Sequence, residues 1–193
     1  MNLPPELQRI LDDIDEADRR GAAIADSCTD EQFYWRPRGG EGWSIAECLD
    51  HLGIMNVVYG TAIRSGIDAA RSRGSTRQGP AKPGFIGGKF VQSMEPPVKR
   101  RLHAPRQSTP APAKARHIIL EGYRAGHDLV RQLLLDAATI DASRARFKNP
   151  FLPLVRFSIA TGLFVIAAHD RRHLWQAEQV REARGFPASI VTR

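Results

Sequence analysis

A chain of 193 residues, 42% hydrophobic and 25% charged, has enough material for a single domain with its own core and the ordinary composition of a soluble protein. No stretch approaches the ~18 uninterrupted apolar residues of a membrane span, and the opening Met-Asn-Leu-Pro-Pro-Glu turns acidic too soon for a secretory signal. The net charge of +7 is uneven: Arg and Lys recur between residues 71 and 116 against Glu95 alone, so the excess belongs to one segment and not to a helix face.

The first predicted helix runs from about Pro5 to Ser27. Leu7, Ile10, Ile14, Ala17, Gly21, Ile24 and Cys28 alternate spacings of three and four, which makes one apolar stripe. Asp12, Asp13, Asp15 and Glu16 fall on the solvated face. Thr29-Asp30-Glu31-Gln32 can open a short helical turn, and Arg38-Gly39-Gly40 breaks it. The second long helix starts at Ser44, where Ser44 and Glu47 have the spacing of a capping box, and its hydrophobic run extends to Ile67. Gly53 and Gly60 weaken that helix and leave room for another to approach.

Residues 71–110 read as a basic, Gly- and Pro-rich crossover. Its Phe85, Ile86, Phe90, Val91 and Met94 predict a middle that docks on the body. A third helix is expected from Pro110 or Pro112 to Asp136, with Leu120, Tyr123, His127, Val130 and Leu134 inward. Asn149-Pro150 and Leu152-Pro153 argue against helix in the next connection. The fourth helix is expected from Leu154 to Arg184, stopped by Gly185 and Pro187. No strand of consequence and no repeat is visible. The pattern predicts an all-α domain spanning residues 1–193: a four-helix bundle with a long crossover between its second and third helices.

His169 and His173 lie four apart on the last helix. They share a face with Ile159, Leu163, Ile166, Ala177 and Val180, so both imidazoles can reach one ion. His51 falls on the inward face of the second helix and His127 on that of the third, and the two rival each other as third ligand. His51, His169 and His173 are the favoured set, three imidazoles with one coordination position open. Imidazole suits zinc, nickel, copper or iron, so these residues alone do not select the metal. Cys28 and Cys48 read as buried apolar groups on separate helices, which suits a reducing cytoplasm. Trp43 and Trp175 read as packing residues, Asp50 and Asp170 as orienting or surface groups, and Arg171 and Arg172 as facing solvent or a partner subunit.

Gly42-Trp43-Ser44-Ile45-Ala46-Glu47-Cys48-Leu49-Asp50-His51-Leu52 resembles the second-helix signature of the DinB-like superfamily. His169-Asp170-Arg171-Arg172-His173-Leu174-Trp175-Gln176-Ala177 resembles its fourth-helix signature. The resemblance covers nearly the whole chain. It implies a bundle with crossed connections, a divalent metal (zinc or nickel) at His51, His169 and His173, and a homodimer. Some relatives are transferases or isomerases that use low-molecular-weight thiols.

Two functional expectations follow. The first is a metal-dependent enzyme, a thiol-dependent transferase or isomerase or a hydrolase, acting on a small molecule beside the basic crossover. No residue declares itself a general base, and no Ser-His-Asp set or phosphate-binding glycine loop is visible. The alternative is a non-enzymatic metal-binding or stress-related protein whose basic crossover contacts nucleic acid or an acidic partner. Phe85 and Phe90 lack the regular aromatic-basic interleaving of a stacking surface, which argues against nucleic acid.

Overall fold

The computed structural model of the chain describes residues 3–98, 108–110, 114–152 and 154–188. Its elements are α1 (Pro5–Asp26), α2 (Asp30–Tyr34), α3 (Ile45–Ser72), α4 (Phe85–Met94), α5 (Arg116–Ala137), β1 (Arg146–Lys148), β2 (Arg156–Ser158) and α6 (Ile159–Arg181). The protein is all-α apart from the small β1–β2 hairpin, whose strands pair antiparallel with Phe147 opposite Phe157. No helix among the described residues is long and apolar enough to cross a membrane.

Local chemistry sets the helix ends. Thr29 and Gln32 form a capping box at α2, and Ser44 and Glu47 form one at α3; each satisfies backbone donors that the first turn leaves free. Ser158 caps α6 by accepting from the Thr161 amide at 3.1 Å. That cap moves the start of the last helix to Ile159 from the expected Leu154, because Arg156–Ser158 is recruited into the hairpin. The third long helix starts at Arg116, later than expected; residues 111–113 lie outside the described residues.

The four long helices pack with α3 and α1 each beside both α5 and α6. Close approaches give their directions. Gly53 meets Gly122, Gly60 meets Leu129 and Arg64 pairs with Asp136, so α3 and α5 run parallel. Asn56 meets Asp170 and Gly66 meets Ile159, so α3 and α6 run antiparallel. A parallel pair requires a long connection, and residues 73–115 supply it.

The described part of that connection is not an irregular solvated loop. It carries α4, which lies on α6 so closely that a Cβ on Gly87 would come within 2.4 Å of Thr161. Phe90 and Val91 pack on the core and Met94 is buried, but Phe85 and Ile86 point outward, contrary to expectation. Among the described residues part of the basic charge is paired: Arg71 with Asp136, Arg77 with Glu6, Lys114 with Asp50, and Arg116 with Asp30. The described acidic face of α1 is likewise partly used, since Asp13 pairs with Arg171 and Asp15 with Arg131.

The apolar stripe of α1 is buried throughout, but it serves two cores. Leu7, Ile10 and Ile14 join Ile63, Ile67, Leu133 and Leu163 in one cluster; Ala17, Ile24 and Cys28 join Leu49, Leu52, Tyr123 and Leu174 in the other. Between them lies a layer of buried polar side chains: Asn56, His127 and Asp170. Each fully buried aliphatic side chain contributes ~1.5–3 kcal/mol, so both clusters are large enough to bracket a polar layer. Gly53 and Gly60 provide the close approach of α3 to α5 within the chain.

A Cβ on Gly53 would lie 2.8 Å from the Gly122 backbone, whereas one on the exposed Gly122 would meet nothing within 4 Å. Gly53→Ala is expected to lower stability by roughly 1–2 kcal/mol, because overpacking outweighs the gain in helix propensity. Gly122→Ala is expected to raise it by up to ~1 kcal/mol. Urea denaturation of the two variants checks the pair; opposite signs are the expected result.

Candidate metal centre

His51 lies two turns into α3, at a depth set by the Ser44 cap, and His169 and His173 lie one turn apart on α6. The antiparallel packing of these helices brings the three imidazoles together, with ring centroids 4.5–5.1 Å apart and one possible ligand atom from each within 4.8 Å of the others. His51 Nε2 and His169 Nε2 are 3.4 Å apart. Two nitrogens bound tetrahedrally at the usual Zn–N distance would stand about 3.3 Å apart, so this pair already has the spacing of coordinated ligands.

The surroundings favour neutral, oriented imidazoles. His51 Nδ1 lies 2.6 Å from the Ser108 carbonyl oxygen, an acceptor, so Nδ1 carries the proton and Nε2 is left bare toward the cluster. Burial lowers the pKa of His51 against the opposing pull of Ser108, Asp50 and Asp170. Burial drives His169 and His173 well below the ordinary range, with the neighbouring imidazoles and Arg172 adding to the effect and Gln176 opposing it at His173. His173 Nδ1 is buried without a hydrogen-bond partner, which is costly for a purely structural histidine. The donor set therefore fits a divalent ion.

Trp43 stacks on His173 with ring centroids 5.6 Å apart and tilts over His51 at 4.8 Å. It packs against these histidines and lines the adjoining cavity; Trp175 also lines the cavity, so neither is packing alone. The cavity, of about 1020 Å³, opens from the triad between α6, α4 and the hairpin loop. The described crossover residues that line it are apolar (Phe90, Met94 and Val98); Lys99, Arg100, Arg101 and Arg106 of the expected basic border lie outside the described residues.

His127 does not join the cluster. It is fully buried between Asp18, which bonds its Nδ1, and Asp170, whose Oδ2 is 3.1 Å from its Nε2. Asp170 also accepts from Asn56 at 3.3 Å, so it orients the helices and not a ligand ring. Asp50 is buried and pairs with Lys114 at 2.7 Å. Cys48 is a core residue whose thiol pKa burial pushes up, and Cys28 is buried in the same cluster.

Arg171 is half-buried and bridges Glu95, just beyond α4, and Asp13 on α1. One expectation about charge is corrected. Arg172 does not face solvent: it is 7% exposed and lines the cavity. The helical period carries the signal that was missed. A residue three beyond His169 is turned about 300°, hence only about 60° from it around the helix axis. The Ser108 carbonyl comes from a loop, and nothing in the local sequence marks it.

A helical protein with a crossed long connection and three inward histidines on two helices defines the class. Comparison with known families gives the same answer: residues 13–177 match the DinB superfamily, and the chain belongs to it. No curated protein and no solved structure matches the chain.

Burial lowers the pKa of His127, but Asp170 and Asp18 outweigh it and raise it to about 9. The cationic form is then favoured in the folded state. Its stabilisation is full below the unfolded value near ~6.5 and is lost as pH rises through the folded value. His127→Gln is expected to cost up to ~3 kcal/mol more at pH 6 than at pH 10. Denaturant melts of wild type and variant at both values check this; an equal cost at the two would contradict a charged His127.

Proposed function

We propose that this protein is a divalent-metal-dependent enzyme, a hydrolase or thiol-dependent transferase or isomerase, that acts on a small molecule held in the cavity beside its three histidines. The observation that carries this is the convergence of His51, His169 and His173 on a cavity wall. Structural zinc sites are closed by four protein ligands, whereas catalytic sites keep three and leave one position for substrate or solvent. A divalent ion supplies Lewis acidity and makes water or a thiol nucleophilic near neutral pH.

The protein's own residues do the rest. Ser108 holds the His51 tautomer, and Trp43 covers two imidazoles from one side and excludes water there. Burial keeps the imidazoles in the neutral form that binds metal. Glu41 is exposed and also lines the cavity. Zinc and nickel both suit three imidazoles.

Elemental analysis of untagged protein is expected to find one divalent ion per chain. His51→Ala, His169→Ala and His173→Ala should each reduce affinity by more than the ~10–100-fold typical of losing a group that merely orients a ligand; His127→Ala should not. Proton competition should begin below the ordinary histidine value of ~6.5, because all three folded pKa values are lowered. Hydrolysis of 4-nitrophenyl esters, and thiol addition to an aromatic electrophile, should each be assayed with metal and with chelator. Metal-dependent turnover in either assay that disappears in His169→Ala supports the proposal. Failure to bind metal, or loss of binding in His127→Ala with retention in His51→Ala, overturns it.

A further inference from the structure

The start of α4 and the β1–β2 hairpin meet at one end of the bundle. The Lys82 amide, just before α4, donates to Ser143 Oγ at 2.9 Å, and the Phe90 and Phe157 rings pack with centroids 5.2 Å apart. β1 lies on α3 at Gly66, near the end of that helix, and β2 leads directly into α6. These adjoining elements hold bulky apolar side chains out to water. Phe85 and Ile86 in the first turn of α4 are 83% and 78% exposed, and Leu154 in the hairpin loop is 99% exposed. Gly87 seats α4 on Thr161, and Phe85, two residues earlier, is turned about 200° from it around the helix axis. Single exposed apolar side chains are ordinary, but several on adjoining elements mark a contact surface.

The charge around them has one sign. Residues 73–94 and 142–168 contain no Asp or Glu. Lys82, Lys89, Arg146, Lys148 and Arg156 are exposed, and none of them forms an ion pair among the described residues. Lys89 Nζ lies 5.6 Å from the centre of the Phe85 ring, so cation and hydrocarbon are presented together. Strand alternation turns Phe147 and Phe157 inward and Arg146, Lys148 and Arg156 outward. Acids at this end are largely engaged: Glu6 with Arg77, Asp136 with Arg64 and Arg71, and Asp141 with Arg144. Asp68 on α3 is exposed, a single charge against the five cations.

Cations alone suit any polyanion, including a nucleic acid. Exposed Phe, Ile and Leu beside them suit the boundary of an anionic bilayer, where hydrocarbon enters the acyl region and Lys and Arg stay among the headgroups. We infer that this end of the bundle docks on an anionic membrane surface, with Phe85, Ile86 and Leu154 inserted at the headgroup boundary and the five cations on lipid phosphates. The contact is peripheral, since no described helix is long and apolar enough to cross. Phe90 of α4 and Phe151 of the hairpin loop wall the cavity, so docking through these elements brings the cavity wall to the lipid. The docking itself needs no metal.

Cosedimentation of the full chain with vesicles tests it, using phosphatidylcholine alone and a mixture of one part phosphatidylglycerol to two parts phosphatidylcholine. Binding is expected to the mixed vesicles and to be at least tenfold weaker to phosphatidylcholine alone. Added salt should weaken it, because exposed charges are screened. Lys89→Gln and Arg156→Gln should each weaken it about fivefold, the share of one cation near such a surface. Replacing Phe85 and Ile86 together by Ser should weaken it at least tenfold. Ile118→Ser, at an exposed apolar residue of α5, should leave it unchanged. Chelator and His169→Ala should also leave it unchanged, so failure of the metal reading does not touch this one. Circular dichroism melts establish that each variant folds.

Equal binding to the two kinds of vesicle overturns the inference, as does no binding to either. Loss in the Gln variants without loss in the double Ser variant also overturns it, because charge alone would then act, as it does on a nucleic acid. So does a dimer in light scattering that the double Ser variant converts to monomer while vesicle binding stays as in wild type, since a second copy of the chain would then be what covers the patch.

Discussion

A buried carboxylate governs this structure. Asp170 is 1% exposed in the middle of α6, where an unpaired charge would cost several kcal/mol. It is matched by His127 on α5 and Asn56 on α3, and His127 is matched in turn by Asp18 on α1, which also bonds Arg131. One chain of polar contacts therefore ties all four long helices at a single level. It fixes the rotation of α6, because turning that helix would strand the carboxylate. Adjacent helical residues point about 100° apart, so locking Asp170 toward α5 aims His169 at the cavity.

The next two residues extend the same logic. Arg171 leaves the helix in another direction and clasps Glu95 and Asp13, which pins the end of α4 and the side of α1. Arg172 turns to the cavity and His173 to the triad. Five consecutive side chains thus address the histidine cluster, a buried network, a crossover clamp, a cavity wall and the cluster again. Two apolar cores, one on each side of this layer, offset the cost of placing so much polarity at mid-height.

The crossover is what turns a histidine cluster into a site. Because α3 and α5 run parallel, the chain must return the length of the bundle between them, and on the way it lays α4 against α6. Phe90 and Met94 then wall a cavity beside the imidazoles. A tight antiparallel turn at this point would have left the histidines on an open groove. Enclosure by apolar surface strengthens every charge interaction inside the cavity, which gives three neutral imidazoles and one guanidinium their chemical weight.

By itself the sequence determined the helices, the Ser44 cap, the inward stripes and the inward placing of His51, His169 and His173. These follow from the period of 3.6 and from side chains that act within a few residues of their own position. The same period placed Arg172 near His169, although charge alone suggested solvent. Only the tertiary structure decided that His127 would face two carboxylates instead of the ligand cluster, since both fates use an inward position on α5. Tertiary packing also decided that residues 85–94 form a helix against α6, that Arg156–Ser158 pairs as a strand, and that the Ser108 carbonyl meets His51. Each of these depends on a partner distant in sequence, and local periodicity carries no information about which distant group will arrive.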